Sequence, residues 1–110
     1  MKHTIEFEII TDILSKELYQ TRYIIGKIAT GQYIYVWSQN LPGEEIEVTA
    51  DMLNSPKCEH GAMIGTPEEI AAHIEICVGL HRDDPNEETA ETAHAVVEEM
   101  LAALFQSTLP

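Results

Sequence analysis

Hydrophobic and polar positions alternate at the start of the chain, with Ile5, Phe7 and Ile9 on one side and Thr4, Glu6 and Glu8 on the other. A period of two predicts a strand over residues 4–10 with one buried and one wet face, the habit of an antiparallel sheet. The period then changes. Thr11-Asp12 offers a cap, and Leu14, Leu18, Thr21, Ile25 and Ile28 recur at helical spacing. This predicts a helix over residues 12–28, closed by Gly31. The run Tyr23-Ile24-Ile25-Gly26 also fits a strand, so residues 20–29 read either way.

Residues 32–38, Gln-Tyr-Ile-Tyr-Val-Trp-Ser, are aromatic or β-branched almost throughout, which predicts the strongest strand of the chain. Asn40-Leu41-Pro42-Gly43 is turn chemistry, and the alternation resumes in Glu45-Ile46-Glu47-Val48-Thr49. Residues 32–49 therefore read as a hairpin. Residues 54–66 hold Asn54-Ser55-Pro56, Gly61 and Gly65 and read as a loop.

Two helix starts follow. Thr66-Pro67-Glu68-Glu69 places a capping Thr before Pro at the first helical position, with Glu three residues on. Asp84-Pro85-Asn86-Glu87 repeats the device. Helices are predicted over 67–81 and 86–105, forming an antiparallel helical hairpin over 67–106 across the short connection from His81 to Pro85. The first presents Ile70, Ile74, Cys77 and His81 on one side, and the second Ala90, Ala93, Val97, Met100, Leu101 and Leu104. The resulting fold class is α+β: a small antiparallel sheet with helices on one face, in the order β-α-β-β-α-α. At 110 residues one domain is expected, β-rich over 1–53 and helical after residue 67.

Charge changes the picture most. Nineteen Asp and Glu oppose six Lys and Arg, for a formal net charge of -13. Residues 58–110 hold eleven of the acids and only Arg82 as a base, a net of -10. Such a field repels phosphate backbones and anionic lipid and favours a basic partner. Asp84, Glu87, Glu88, Glu91, Glu98 and Glu99 span about one-third of the second helix's circumference, opposite its apolar side. Carboxylates at i and i+4 lie about 6 Å apart along the axis, resembling successive phosphates on a strand. A solvated amphipathic face explains the same row.

Two further constellations could carry chemistry. Cys58, His60, His73, Cys77 and His81 have a finger-like arrangement, with i, i+4 spacings among the last three. Cys58-x-His60 is tighter than the usual knuckle, and Cys77 falls amid apolar positions, so no metal is expected. Tyr33, Tyr35 and Trp37 alternate with Ile34 and Val36. Both faces of that strand are apolar, so it is either a central strand covered on both sides or an aromatic contact surface.

Enzyme signals are weak. Gly61 to Thr66 resembles a phosphate-cradling loop only superficially: it lacks the Lys, and Glu68-Glu69 would repel a phosphate. No nucleophile elbow, His-Glu-x-x-His or calcium loop occurs. Two cysteines make no disulfide framework, no apolar run approaches a membrane span, and the first eight residues have no signal-like apolar core. The cytoplasm is the expected compartment.

The sequence thus points to a non-enzymatic acidic regulator or inhibitor. It would occupy a basic, nucleic-acid-binding surface of a partner protein, as small proteins of mobile elements or phages do when they disarm nucleases. That analogy rests on charge and size. The alternatives are a zinc-stabilised accessory domain, and an oligomeric structural component whose self-contact is the aromatic strand or the helical hairpin.

Overall fold

The computed structural model describes residues 5–16, 18, 20–39, 48, 52–53 and 60–107. Four strands form one antiparallel sheet in the order β1-β2-β3-β4: β1 Glu8–Ser15, β2 Thr21–Lys27, β3 Tyr33–Gln39 and β4 His60–Gly65. The strands precede two helices, α1 Pro67–Cys77 and α2 Glu87–Gln106, joined through a 3-10 turn, Gly79–Asp83. The class is α+β, as the alternating patterns imply.

Residues 12–28 are not a helix. Residues 12–15 continue β1, and residues 21–27 form β2, which pairs along its whole length with β3. Three things defeat the helical spacing. Thr21, Tyr23, Ile24 and Ile25 are β-branched or aromatic, Gly26 would cost a helix interior about 1 kcal/mol, and β3 offers a full ladder instead. Gly26 also has a packing reason, because an added Cβ would lie 2.3 Å from Phe7 Cδ2. Between β1 and β2 the chain turns at Gln20, whose φ is 54°, and the Thr21 hydroxyl donates to Leu18 O.

Gly31 does adopt a left-handed conformation, φ 92°, but it closes a hairpin rather than a helix. Gly31 N donates to Ile28 O and Ile28 N to Gln32 O, at 2.9 and 3.0 Å. The loop Ala29-Thr30-Gly31 is the three-residue connection that ends in a residue of positive φ.

The expected loop over 54–66 is strand over its last part. β4 pairs with β3 from Tyr33↔Gly65 to Ser38↔His60. Its two glycines, read as loop punctuation, pair with Trp37 and Tyr33, and a Cβ added at Gly65 would crowd the capping Glu69 side chain at 3.2 Å. The predicted turn at 40–43 lies outside the described residues, as does the strand at 45–49 apart from Val48.

The sheet has two covered faces. On one, Tyr23, Ile25, Tyr33 and Tyr35 pack against Ile70 and Ile74 of α1 and Ala93, Val96, Val97, Met100 and Leu104 of α2. On the other, Ile24, Ile34, Val36 and Ala62 meet Val48 and Met52, with Ile5, Phe7, Ile28 and Ile64 at the margin. Tyr33 ties α2 to the sheet, donating to Ser107 O at 3.3 Å and accepting from Ser107 Oγ at 3.1 Å.

The helix starts follow local chemistry. Thr66 and Glu69 complete a reciprocal capping box around Pro67. At α2 the cap is Asn86, not Asp84: Asn86 Oδ1 accepts from Glu88 N and Thr89 N, while Asp84 Oδ1 accepts from Asn86 N. α1 ends at Cys77, and the residues to 83 tighten into the 3-10 turn instead of prolonging it to 81. Among the described residues, no helix is long and apolar enough to cross a membrane.

Candidate functional site

The outward face of α2 is the first candidate. Its inner face is fixed by the buried Ala93, Val96, Val97, Met100 and Leu104, so its opposite side is held towards solvent. Glu87, Glu91 and Glu98 fall in one row, and Glu88 and Glu99 in a second about 100° around the axis. All five are exposed, and exposed Ala95 and Ala102 lie between them. Asp84 stands apart from this array, half-buried before the helix and engaged with the Asn86 cap. The helix carries no Lys or Arg. His94 Nε2 is 3.9 Å from Glu98, a pair only when the imidazole is protonated. Arg82, the base of the C-terminal half, is spent locally: its guanidinium pairs with Glu75 and donates from Nε to Gly79 O. Among the described residues no salt bridge reaches Glu87, Glu88, Glu91 or Glu99.

The aromatic strand lies inside the molecule. Tyr33 and Tyr35 are buried beneath the helices, and burial pushes the Tyr35 hydroxyl pKa well above its ordinary value. Only Trp37, half-buried at the edge of this core, retains access to solvent. The central-strand reading holds, with helices over one face and residues 5–7, 48 and 52–53 contributing to the cover of the other.

The predicted metal ligands are scattered. His60, paired with Ser38, alternates with Gly61 and lies on the sheet face away from the helices. Cys58 lies outside the described residues. His81 sits half-buried in the 3-10 turn. His73 and Cys77 do come together, one helical turn apart, with Nε2 and Sγ 3.5 Å from each other. Cys77 is exposed, not part of the apolar side as its spacing suggested, because the core stripe of α1 runs through Ile70 and Ile74.

His73 stacks on the aromatic strand, its ring 4.9 Å from Trp37 and 5.7 Å from Tyr35. Burial of this ring lowers its pKa from the ordinary 6.5, which favours the neutral imidazole. Its Nδ1 is buried with no hydrogen-bond partner, so Nε2, beside Cys77, is the nitrogen left for chemistry. Among the described residues no cluster of three or more His, Cys, Asp or Glu could hold a metal ion.

Sequence reasoning also missed the pairing of Asp12 with Arg22, which meet diagonally across β1 and β2, Asp12 standing opposite Ile24 and Arg22 opposite Leu14. The hydrogen bonds from Arg22 hold the Asp12 carboxyl below its usual range. The signal was hidden because both residues were assigned to one helix, where ten residues would separate them by almost three turns. Comparison with protein-family models, curated proteins and solved structures finds no match to this chain.

Proposed function

We propose that this protein is a non-enzymatic acidic regulator or inhibitor that works in the cytoplasm by occupying a basic, nucleic-acid-binding surface of a partner protein. The observation that carries the reading is the outer face of α2, where five exposed carboxylates share a helix without Lys or Arg. A helix of 20 residues is about 30 Å long, enough to present charge along a groove. Its core anchors keep that charge in place before encounter, so little ordering is needed on binding. The long-range field of a chain at -13 steers a basic partner towards it.

The test is to replace Glu87, Glu88 and Glu91 together with Gln and compare capture of basic nucleic-acid-binding proteins from a lysate with that by the unmodified chain. Capture should fall, chiefly through slower association, while the melting temperature stays put. Added salt should reproduce the loss in the unmodified protein, since the Debye length shrinks from about 10 Å at 0.1 M to about 3 Å at 1 M. Nucleic acid should compete for the captured partner. Association that is indifferent to both the triple substitution and salt would reduce the row to a solvated face.

A further inference from the structure

We propose that Ile76, at the end of α1, and Leu80, in the 3-10 turn after it, are a docking surface for a basic amphipathic helix of a partner protein. The apolar side chains of that helix cover the pair, and its Lys or Arg side chains meet the carboxylates around it. The surface lies on α1 and the turn, so the proposal goes beyond the acidic rows of α2 and stands without them.

Register forces the pair outward. Ile70, Ile74 and Val78 recur every four residues and take the inward position in the shared core, none of them more than 2% exposed. Ile76 comes two residues after Ile74, about 200° around the axis, which puts it on the far side. Turning α1 over to bury it would bring Ile70 and Ile74 into water. Ile76 and Leu80 are accordingly 68% and 58% exposed, the highest values among the described large apolar side chains. Four residues apart, they lie about 6 Å from each other along the axis. Apolar side chains at i and i+3 or i+4 of a partner helix have the same spacing.

Charge selects the partner. Exposed Glu75 adjoins Ile76, exposed Glu69 lies on the same side of α1 two turns earlier, and exposed Asp83 ends the turn that holds Leu80. Arg82, the one Lys or Arg of residues 58–110, is already joined to Glu75, so Glu69 and Asp83 set the sign of the surface. An apolar segment that approaches therefore enters a negative field, within a half-chain of net charge -10. That field repels a second copy at -13, and it repels anionic lipid. A basic amphipathic helix is favoured twice, by contact with Ile76 and Leu80 and by attraction to the carboxylates beside them.

The experiment titrates the full, isotope-labelled chain with three synthetic helical peptides of equal length and follows its backbone NMR signals. One peptide carries a Leu face and a Lys face, the second the same Leu face with Glu for Lys, and the third the Lys face with Ser for Leu. The Leu–Lys peptide should bind saturably and shift the signals of residues 75–83 most. The Leu–Glu peptide should leave them in place, and the Lys–Ser peptide should bind at least about tenfold more weakly. Ile76→Ser combined with Leu80→Ser changes exposed side chains and should keep the fold, checked by melting, while weakening Leu–Lys binding by the same factor. Replacing Glu87, Glu88 and Glu91 together with Gln should leave the shifts at 75–83, so a failure of the α2 reading shows separately from a failure here. Undiminished binding of the Leu–Lys peptide by the double Ser variant overturns the proposal, as does equal binding of the Leu–Glu peptide or loss of the 75–83 shifts in the triple Gln variant. So does self-association of the free chain that the double Ser variant abolishes, which would make a second copy the occupant.

Discussion

The two helices lie on the same face of the same sheet and turn different chemistry outward. α1, over β3 and β4, sets the exposed Ile76 and Cys77 beside the exposed Glu68, Glu69 and Glu75, while α2, against β1, exposes five carboxylates and no such apolar pair. Inward they are alike: Ile70 and Ile74 of one helix join Val97, Met100 and Leu104 of the other in one continuous cluster. The core therefore constrains where each helix lies and leaves the outward residues free to differ. An acidic face acts at the range of a Debye length, whereas an apolar stripe with a Cys–His pair acts only at contact.

The shared inner face is the part most costly to break. Ile74→Ala and Met100→Ala should each destabilise by about 2–5 kcal/mol in denaturant unfolding, because both side chains are fully buried in the common cluster. Leu101→Ala should cost less than either, since Leu101 is only half-buried at the margin. Equal losses at Leu101 and Met100 would show that the inner face of α2 is centred elsewhere.

The helix starts sharpen the comparison at a smaller scale. Asn86→Ala should cost about 1 kcal/mol, because Asn86 caps two backbone N–H groups of α2. Thr66→Ala should cost a similar amount at α1, where the Glu69 side chain still reaches Thr66 N from its half of the box. Asp84→Ala should matter less than Asn86→Ala at the α2 start, which thermal melts of the three variants can rank.

The smallest effect belongs to the face of β1 and β2 that is turned away from both helices. Asp12 has a folded-state pKa below the ordinary 3.8, so its contribution is present above that value and fades as pH falls through the lower one. Asp12→Asn should cost about 1 kcal/mol at neutral pH, as for an ion pair that still meets solvent, its side chains 13% and 31% exposed. The same substitution should flatten the acid limb of the stability curve, measured by unfolding from pH 2 to pH 6. An unchanged acid limb would detach the pair from stability.

Some of this protein was determined by the sequence alone, because the relevant interactions are local. Thr66-Pro67-Glu68-Glu69 announces α1 since a cap, a fixed φ and a reciprocal carboxylate all act within one turn. Apolar residues at helical spacing locate the core stripe of α2, and the unbroken aromatic and β-branched run locates β3. The acid row of α2 is legible for the same reason, since a helix converts spacing directly into a face. Tertiary structure decided the rest. Residues 21–27 carry helical and strand signals together, and only the ladder to β3 selects strand. Gly61 and Gly65 look like loop until Trp37 and Tyr33 stand opposite them, and Phe7 explains Gly26 only once the two meet in space. Cys77 looked buried by its spacing, yet the sheet accepts Ile70 and Ile74 and leaves the thiol outside beside His73. Periodicity fixes which residues share a face; only packing against the sheet fixes which face is covered.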